Sequence, residues 1–442
     1  MDSFWLAAYL VLAGVALVQS VLLTVQAWEH RRFVRSRMGR LGSERPTGHA
    51  AVFAPCKGVD VGLEDNLRAL LQQDYDDYEV TFIVESADDP ACPVVQRLIA
   101  EHPCVACRLV VAGRATHSGQ KVHNLRAATA RLGPQVKYLA FLDSDARPRS
   151  QWLRSLTAIL SKTDCRAVTG YRWFIPDRST LANYLLYSMN CGVMSLFGRT
   201  SHYLVWGGSW GIRRDVFDSI GLHGAWKGTL SDDLVATRLL RRAKVPVRFE
   251  PACVVASPLD YSLAGVLSFL RRQYMVARFY TPDWWLFGLL ATTFTSLAWL
   301  GNLAALGCSL VLGAPSLWMP ASVCGLLYLL SVHRGMVRQG LVGTYFPDRR
   351  RALRACARID TWANPIVGWI SWLGVLASMW GRQIAWRGIR YHLALGGRIR
   401  SVQRDDGPPS ADEPAAAGDQ SDDELQTVAF PTRETVPYRK AG

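Results

Sequence analysis

From Trp284 to Val332 the sequence contains no Asp, Glu, Lys, Arg or His, a run of 49 residues. Such a stretch excludes an ordinary soluble surface. At about 20 residues per crossing it suffices for two membrane helices, with a turn at GAPSLWMP, residues 313–320. Charge is also missing from Phe4 to Trp28, and the stretch that follows, RRFVRSRMGR, has five arginines in ten residues. A spanning anchor with a cytoplasmic basic flank is therefore expected. A cleaved signal peptide carries its positive charge before the apolar run, whereas here Asp2 precedes it, so the anchor reads as uncleaved. The lack of charge within these runs also argues against an ion-coupled transporter.

Two further absences narrow the class. Neither GxGxxG nor GxxxxGK[ST] follows a strand-like segment, which counts against dinucleotide oxidoreductases and P-loop NTPases. The ten cysteines form no paired framework, and CVAC at 104–107 has no second pair to complete a metal site. A third apolar segment, Thr361–Gly381, lies between the basic runs RRRALRACAR and RGIRYHLALGGRIR. Positive charge on both sides predicts a re-entrant or interfacial hairpin around Asn364 and Pro365, with a simple crossing as the alternative. The tail from about Asp405 is poor in aliphatic residues and rich in Pro, Ala and acid, and is predicted to be disordered.

What remains, residues 49 to about 262, has ordinary soluble composition between two cytoplasmic signals, so a cytosolic domain is expected. Within it HAAVFAP, YEVTFIVES, CRLVVAG, KYLAFLD and AVTGYRWF read as strands. LEDNLRALLQQ, PVVQRLIAEH, VHNLRAATARL and QWLRSLTAILS read as helices. This alternation predicts an α/β domain with a mostly parallel sheet covered by helices on both faces, and ligands at the carboxyl ends of its strands. Polar groups collect there: Lys57 and Asp60 after the first strand, Glu85, Asp88 and Asp89 after the second, Asp143 and Asp145 after the fourth. In FLDSDARP, residues 141–148, the two aspartates stand at positions i and i+2 and so share one side of an extended chain, where they can converge on a hard cation. Turn formation by Asp and Ser is the plainer account of the same triplet.

Taken in order, PCKGVD (55–60), LLQQDYDDYEV, ADDPA, HNL, the DSD region, IRRDVFD, SDDLVATRLL and WRGIRYHLALGG resemble the family 2 type of inverting glycosyltransferases, and within it the ceramide glucosyltransferase group. The resemblance covers most of residues 50 to 400. It implies a GT-A nucleotide-sugar fold and assigns Asp89 to the first aspartate, near the nucleotide. Asp143 belongs to the second motif, Asp145 takes the place of the second metal-binding acid, and Asp233 is the catalytic base. Lys57, Lys121 and Asn124 are expected near the nucleotide, beside Asp89 and Asp143; a solvated lysine and a capping asparagine are the bland alternative. Asp232 reads either as a second acid or as a helix N-cap. Trp206, Trp210 and Trp226 are candidates for an acceptor groove, Trp226 foremost, against packing or interfacial anchoring. The resemblance fails at one place. Where the family has R/QxxRW, this chain reads RQYMV, residues 272–276; Arg272 fits the first position, Met275 and Val276 replace Arg and Trp, and Arg278 is a candidate substitute cation.

The expected organisation is an anchor (1–28), a basic cytoplasmic linker (29–48), the GT-A domain (49–282), a transmembrane hairpin (283–334), a basic interfacial region (335–404) and the tail (405–442). The expected activity is transfer of a sugar, glucose from a UDP-sugar donor, to a lipid hydroxyl such as that of ceramide at the cytosolic leaflet, with Mg²⁺ or Mn²⁺ as cofactor. The partners are then the nucleotide sugar, the lipid acceptor and the membrane, with no nucleic acid, and with the oligomeric state left open. A processive polysaccharide synthase and a catalytically degenerate scaffold are the alternatives.

Overall fold

In the computed structural model the described residues are 3–39, 45–200, 203–313, 318–404 and 427–428. Helix α1 (Ser3–Met38) comes first, then strand β1 (His49–Pro55), α2 (Leu63–Leu71), β2 (Tyr78–Val84), α3 (Ala91–Glu101), β3 (Ala106–Val111), α4 (Gln120–Thr129), β4 (Val136–Leu142) and α5 (Trp152–Leu160). Strands β3, β2, β1 and β4 lie side by side and parallel, as repeated strand–helix crossovers require. The middles of β1, β2 and β4 are buried on both faces, which is why they read as mostly apolar runs and not as alternating ones, while β3 is only partly buried.

The sheet continues with β5 (Ala167–Pro176), helix α6 (Leu181–Met194) and β6 (Ser209–Arg213). Short helices α7 (Arg214–Ser219) and α8 (Leu222–Ala225) lead to α9 (Asp232–Arg242) and β7 (Val247–Leu259). Strand β6 inserts antiparallel between β4 and β5, with Leu142 opposite Ser209. Because it runs backwards, its entry segment, Trp206–Gly208, arrives at the edge where β4 releases Asp143. The edge then gathers loops from both directions. The phenyl ring of Phe141 stacks on Trp210 at 4.4 Å and meets Trp226 edge-on at 5.8 Å, both indoles being fully buried. Truncating either tryptophan to alanine costs about 3–5 kcal/mol.

Helix α1 does not stop at Trp28. The expected linker over 29–48 is helical through Met38, because Arg, Glu, Phe, Val and Met sustain a helix and the first breaker is Gly39. Arg37 on its last turn forms an ion pair at 2.5 Å with Glu250 of β7, which is 2% exposed, so helix α1 is tied directly to the large sheet.

Helix α10 (Leu263–Tyr280) passes through Thr281 into α11 (Pro282–Val311), and α12 (Trp318–Gln339) follows. Of the described helices, Phe4–Met38 and Pro282–Val311 are long and apolar enough to cross a membrane. They leave Phe4, Leu22, Phe287 and Leu290 more than 60% exposed, a surface that water does not favour. Helix α12 carries His333, Arg334 and Arg338 in its second half. Beyond α13 (Val342–Tyr345) and α14 (Arg354–Trp362), the apolar segment forms α15 (Asn364–Ala377). Its 14 residues span about 21 Å, against a hydrocarbon core of about 30 Å.

Residues 383–404 build a second, antiparallel sheet from β8 (Gln383–Trp386), β9 (Ile389–Leu393) and β10 (Ile399–Arg404). The tail lies outside the described residues except β11 (Thr427–Val428), which pairs antiparallel with β3.

Candidate active site

Two cavities meet over the carboxyl ends of β1 and β4. The smaller, about 70 Å³, is lined by Lys57, Lys121, Asn124, Asp143, Asp145 and the tip of the β8–β9 hairpin, Trp386–Arg387. The larger, about 420 Å³, shares Lys121, Asp143, Asp145, Trp386 and Arg387 and adds Arg172, Trp206, Asp232, Asp233 and Arg272.

Lys121 is at their junction. It stands in the first turn of α4, and its Nζ lies 2.7 Å from Asp143 Oδ1, 3.1 Å from Asp232 Oδ1 and 3.3 Å from the Gly207 carbonyl. Burial alone would lower the lysine's pKa, but Asp143, Asp232 and Asp233 outweigh it and raise the value, keeping the ammonium charged. Gly207 faces this cluster closely. A Cβ there would come within 2.9 Å of Lys121 Nζ and 3.1 Å of Oδ2 of both Asp232 and Asp233, so only glycine leaves room between cation and acids.

The two neighbouring aspartates have different surroundings. Ser231 is the N-cap of α9, its hydroxyl accepting from the Leu234 amide, so Asp232 is the first helical residue and not the cap. The Trp226 indole donates to the Asp232 carbonyl at 2.9 Å and fixes this turn from below. Asp233, half-buried, accepts from Gly207 N at 2.9 Å through Oδ2, and from Leu234 N and the Ser231 hydroxyl through Oδ1. Asp232 is 3% exposed and its Oδ2 has no hydrogen-bond partner among the described residues. Burial, opposed by Lys121 and reinforced by Asp233 and Asp143, pushes its carboxyl up to about 7.

That shift has a measurable consequence. Between the ordinary value of 3.8 and about 7 the folded protein binds a proton that the unfolded chain has released. Stability from this group therefore falls as pH rises through that window, by up to about 1.4 kcal/mol per pH unit. Melting temperatures at pH 5.5 and 7.5 should converge in Asp232→Asn relative to the unsubstituted protein. An unchanged difference would show that another group sets the slope.

Asp145 Oδ1 is likewise buried without a hydrogen-bond partner among the described residues, and burial together with Asp143 raises its pKa. Arg172 approaches its Oδ2 at 3.9 Å while lying over the Trp206 ring at 5.2 Å. An uncompensated carboxylate oxygen beside Asp143 fits a hard cation. No group of three or more His, Cys, Asp or Glu residues among those described forms a metal site on its own, so water and substrate phosphate oxygens would complete the shell.

Other expected residues spread out. Lys57 pairs with Glu85 at 2.5 Å on the wall of the smaller cavity. Asn124 is no cap: it sits inside α4, buried, accepting from Gln120 Nε2 at 2.8 Å. Asp89 lines neither cavity. Its Oδ1 accepts from Gly58 N at 2.8 Å and Ala91 N at 2.9 Å, tying the loop after β1 to the start of α3. Arg272 lines the larger cavity over the rings of Phe269 and Trp386, at 5.4 and 5.7 Å. Arg278 does not substitute for the missing cation, because its guanidinium donates to the carbonyls of Ser378, Met379 and Gly381 beyond α15. Trp210 and Trp226 are core, and only Trp206 reaches the cavity.

Trp386 and Arg387 received no role from the sequence, although WRGIRYHLALGG was part of the family pattern. Arg387 has φ 50° and Gly388 φ 74°, the paired left-handed turn of a two-residue hairpin. Holding arginine there costs about 1 kcal/mol. Its guanidinium donates to both oxygens of Asp60, at 2.8 and 2.7 Å, and to the Lys57 carbonyl. Arg404, from β10, bonds Glu85 and Gln120. The small sheet thus borders the site with the rings of Trp386 and Tyr391 and the cation of Arg387, while Arg404 ties it to Glu85 and Gln120. A turn-forming Arg-Gly between two alternating segments was the available signal.

A family model described as glycosyl transferase family 21 matches residues 11–399. Among curated relatives, a ceramide glucosyltransferase of Gibberella zeae is 27% identical over 137 residues, 30% of this chain and 24% of that protein. Ceramide glucosyltransferase 3 of Caenorhabditis elegans is 24% identical over 229 residues, 50% of this chain and 48% of that protein. The matched parts thus span from about a quarter to half of these relatives. A solved mannosyltransferase from Pyrobaculum calidifontis, in complex with GDP-Man and Mn²⁺, aligns over 83% of this chain and 99% of that one, with 14% identity and a TM-score of 0.40. The family number differs from the family 2 type that the motifs resemble; the ceramide glucosyltransferases are the group common to both.

Proposed function

The chain belongs to glycosyl transferase family 21, a family of glycosyltransferases, and from that premise we propose that it moves glucose from UDP-glucose, with inversion, to the hydroxyl of a lipid such as ceramide at the cytosolic leaflet. The observation that carries this reading is the convergence of Asp143, Asp145, Lys121, Asp232 and Asp233 where the two cavities join. A sugar diphosphate brings negative charge to one side of the anomeric carbon, and the incoming hydroxyl must lose a proton on the other. The junction offers both functions. Lys121, Arg172 and Arg387 supply cations for the departing diphosphate, and Asp233 supplies the base.

Asp233 is favoured over Asp232 as base for a geometric reason. Its Oδ1 is fixed by two donors while Oδ2 accepts a single amide, which leaves a lone pair toward the half-open cavity. Asp232 serves instead as a partner of Lys121. Asp143 and Asp145 would hold Mg²⁺ or Mn²⁺, which when bound neutralises charge on the leaving diphosphate. Lys57 and Asn124, on the smaller cavity, are assigned to the nucleotide side.

The lipid acceptor has its own support. Helix α10 lines the larger cavity with Phe269, Arg272 and Val276, exposes Leu263 and Leu267 on its surface, and leads directly into α11, one of the two helices apolar enough to cross a bilayer. A headgroup hydroxyl emerging beside α10 needs only a short path to Asp233. The arginine-rich end of α1, seated on the domain through Arg37, favours the cytosolic side. In this reading α15 lies at the interface.

Donor binding tests the proposal. With Mn²⁺ present, Asp145→Ala should weaken UDP-glucose binding by about tenfold or more, roughly 1.4 kcal/mol, with the fold intact because no core packing is lost. In EDTA the two proteins should bind alike. Equal affinities in both conditions would remove the metal from the scheme.

A further inference from the structure

A third cavity lies at the far end of α9. Asp232 and Asp233 start this helix at the reaction centre; about 15 Å along its axis, the last turn reaches a separate cavity of about 890 Å³. Five guanidinium groups line it, from Arg238, Arg241, Arg242, Arg278 and Arg382, against the single carboxylate of Asp283. That carboxylate is already taken by Arg241 at 2.8 Å. Arg278 is spent on backbone carbonyls, and Arg238 donates to those of Phe279 and Tyr280 at 3.3 and 3.2 Å. The exposed side chains of Arg242 and Arg382 have no hydrogen-bond or ion-pair partner among the described residues. Burial and neighbouring arginines lower the pKa of Arg238 and Arg278, a sign of unbalanced positive charge.

The surroundings identify the anion. Pro282 and Asp283, the first residues of α11, form one wall, so the cavity lies at the foot of a helix apolar enough to cross a membrane. Its rim is apolar: Trp380 is 66% exposed, Leu395 76%, and Met379 is exposed beside them. A tryptophan next to arginines at a helix end is the composition of a membrane interface. A soluble anion would have no use for this rim.

We propose that this cavity binds the headgroup of an anionic phospholipid, with its phosphate on Arg242 and Arg382 and its acyl chains beside Trp380, Leu395 and α11. The inference goes beyond the catalytic reading and rests on α11 entering the bilayer. The site belongs to a lipid other than the acceptor, since the catalytic cavities lie at the opposite end of α9.

Native mass spectrometry of the full-length, delipidated protein in detergent, offered equal amounts of phosphatidylglycerol and phosphatidylcholine, tests it. Retention of phosphatidylglycerol should exceed that of phosphatidylcholine by about tenfold, and Arg242→Gln with Arg382→Gln should abolish the preference while UDP-glucose binding stays unchanged. If the double variant folds poorly, Arg382→Gln alone gives the same readout with a smaller loss. Equal retention of the two lipids, or a preference that survives the substitutions, overturns the proposal. So does release of the phospholipid by millimolar inorganic phosphate, which would make a free anion the ligand.

Discussion

Asp233→Asn should lower turnover by about 10²- to 10⁴-fold while UDP-glucose affinity changes little. The substitution keeps the size of the side chain and one acceptor oxygen for Gly207 N, but removes the ability to take a proton. Steady-state transfer to a ceramide acceptor, with donor affinity measured separately, resolves the two effects. Asp232→Asn is the informative neighbour. It weakens the hold on Lys121 and alters the pH dependence of stability, yet it should cost less in turnover than Asp233→Asn. The reverse order would assign the base to Asp232, whose free Oδ2 also lies beside Gly207.

Lys121→Met should destabilise the protein by about 3–5 kcal/mol, because it leaves Asp143 and Asp232 facing each other without the cation between them. For a domain of this size that corresponds to a fall in melting temperature on the order of 10 °C. The double variant Lys121→Met with Asp232→Asn should recover part of the loss, since one of the two stranded carboxylates becomes neutral. A cycle of the four proteins, followed by thermal unfolding, isolates the coupling. Additive effects would mean that the lysine does not hold the acids together. Donor binding should also weaken in Lys121→Met, through loss of a cation at the junction.

Much of this arrangement could be read from the chain. Strands β1, β2 and β4 are buried on both faces through most of their length and so appear as largely apolar runs, and the helices between the strands keep a regular period. Once a parallel sheet is inferred, the rule that ligands gather at carboxyl ends brings Lys57, Asp143 and Asp145 to one edge. The rest depended on distant or non-periodic contacts. Strand β6 is five residues long and includes Gly211, so its antiparallel insertion had no pattern to announce it. Trp210 and Trp226 have the composition of a binding groove, but an indole that stacks on Phe141 and one that donates to the Asp232 carbonyl cannot be told from it by residue type. Arg278 lies in the last turn of α10, close to two helical turns from Arg272, yet nothing local says that α15 ends beside it and offers three carbonyls. Arg387 is 327 residues from Asp60, so their pairing is a product of the tertiary fold alone. Its appearance in the site also bears on the altered R/QxxRW segment: an arginine and a tryptophan do stand by the cavity, but on a hairpin more than 100 residues after Met275 and Val276.

The central claim is transfer of one sugar to a lipid with inversion, and the product itself tests it. Purified full-length protein, reconstituted in vesicles containing ceramide, would be given UDP-glucose and Mn²⁺, and the extracted lipids analysed by mass spectrometry and by NMR of the anomeric proton. The expected product is ceramide heavier by a single hexose in β linkage, formed from the α-linked donor. A lipid pool free of added hexose, a series of polymers, or an α linkage would contradict the account.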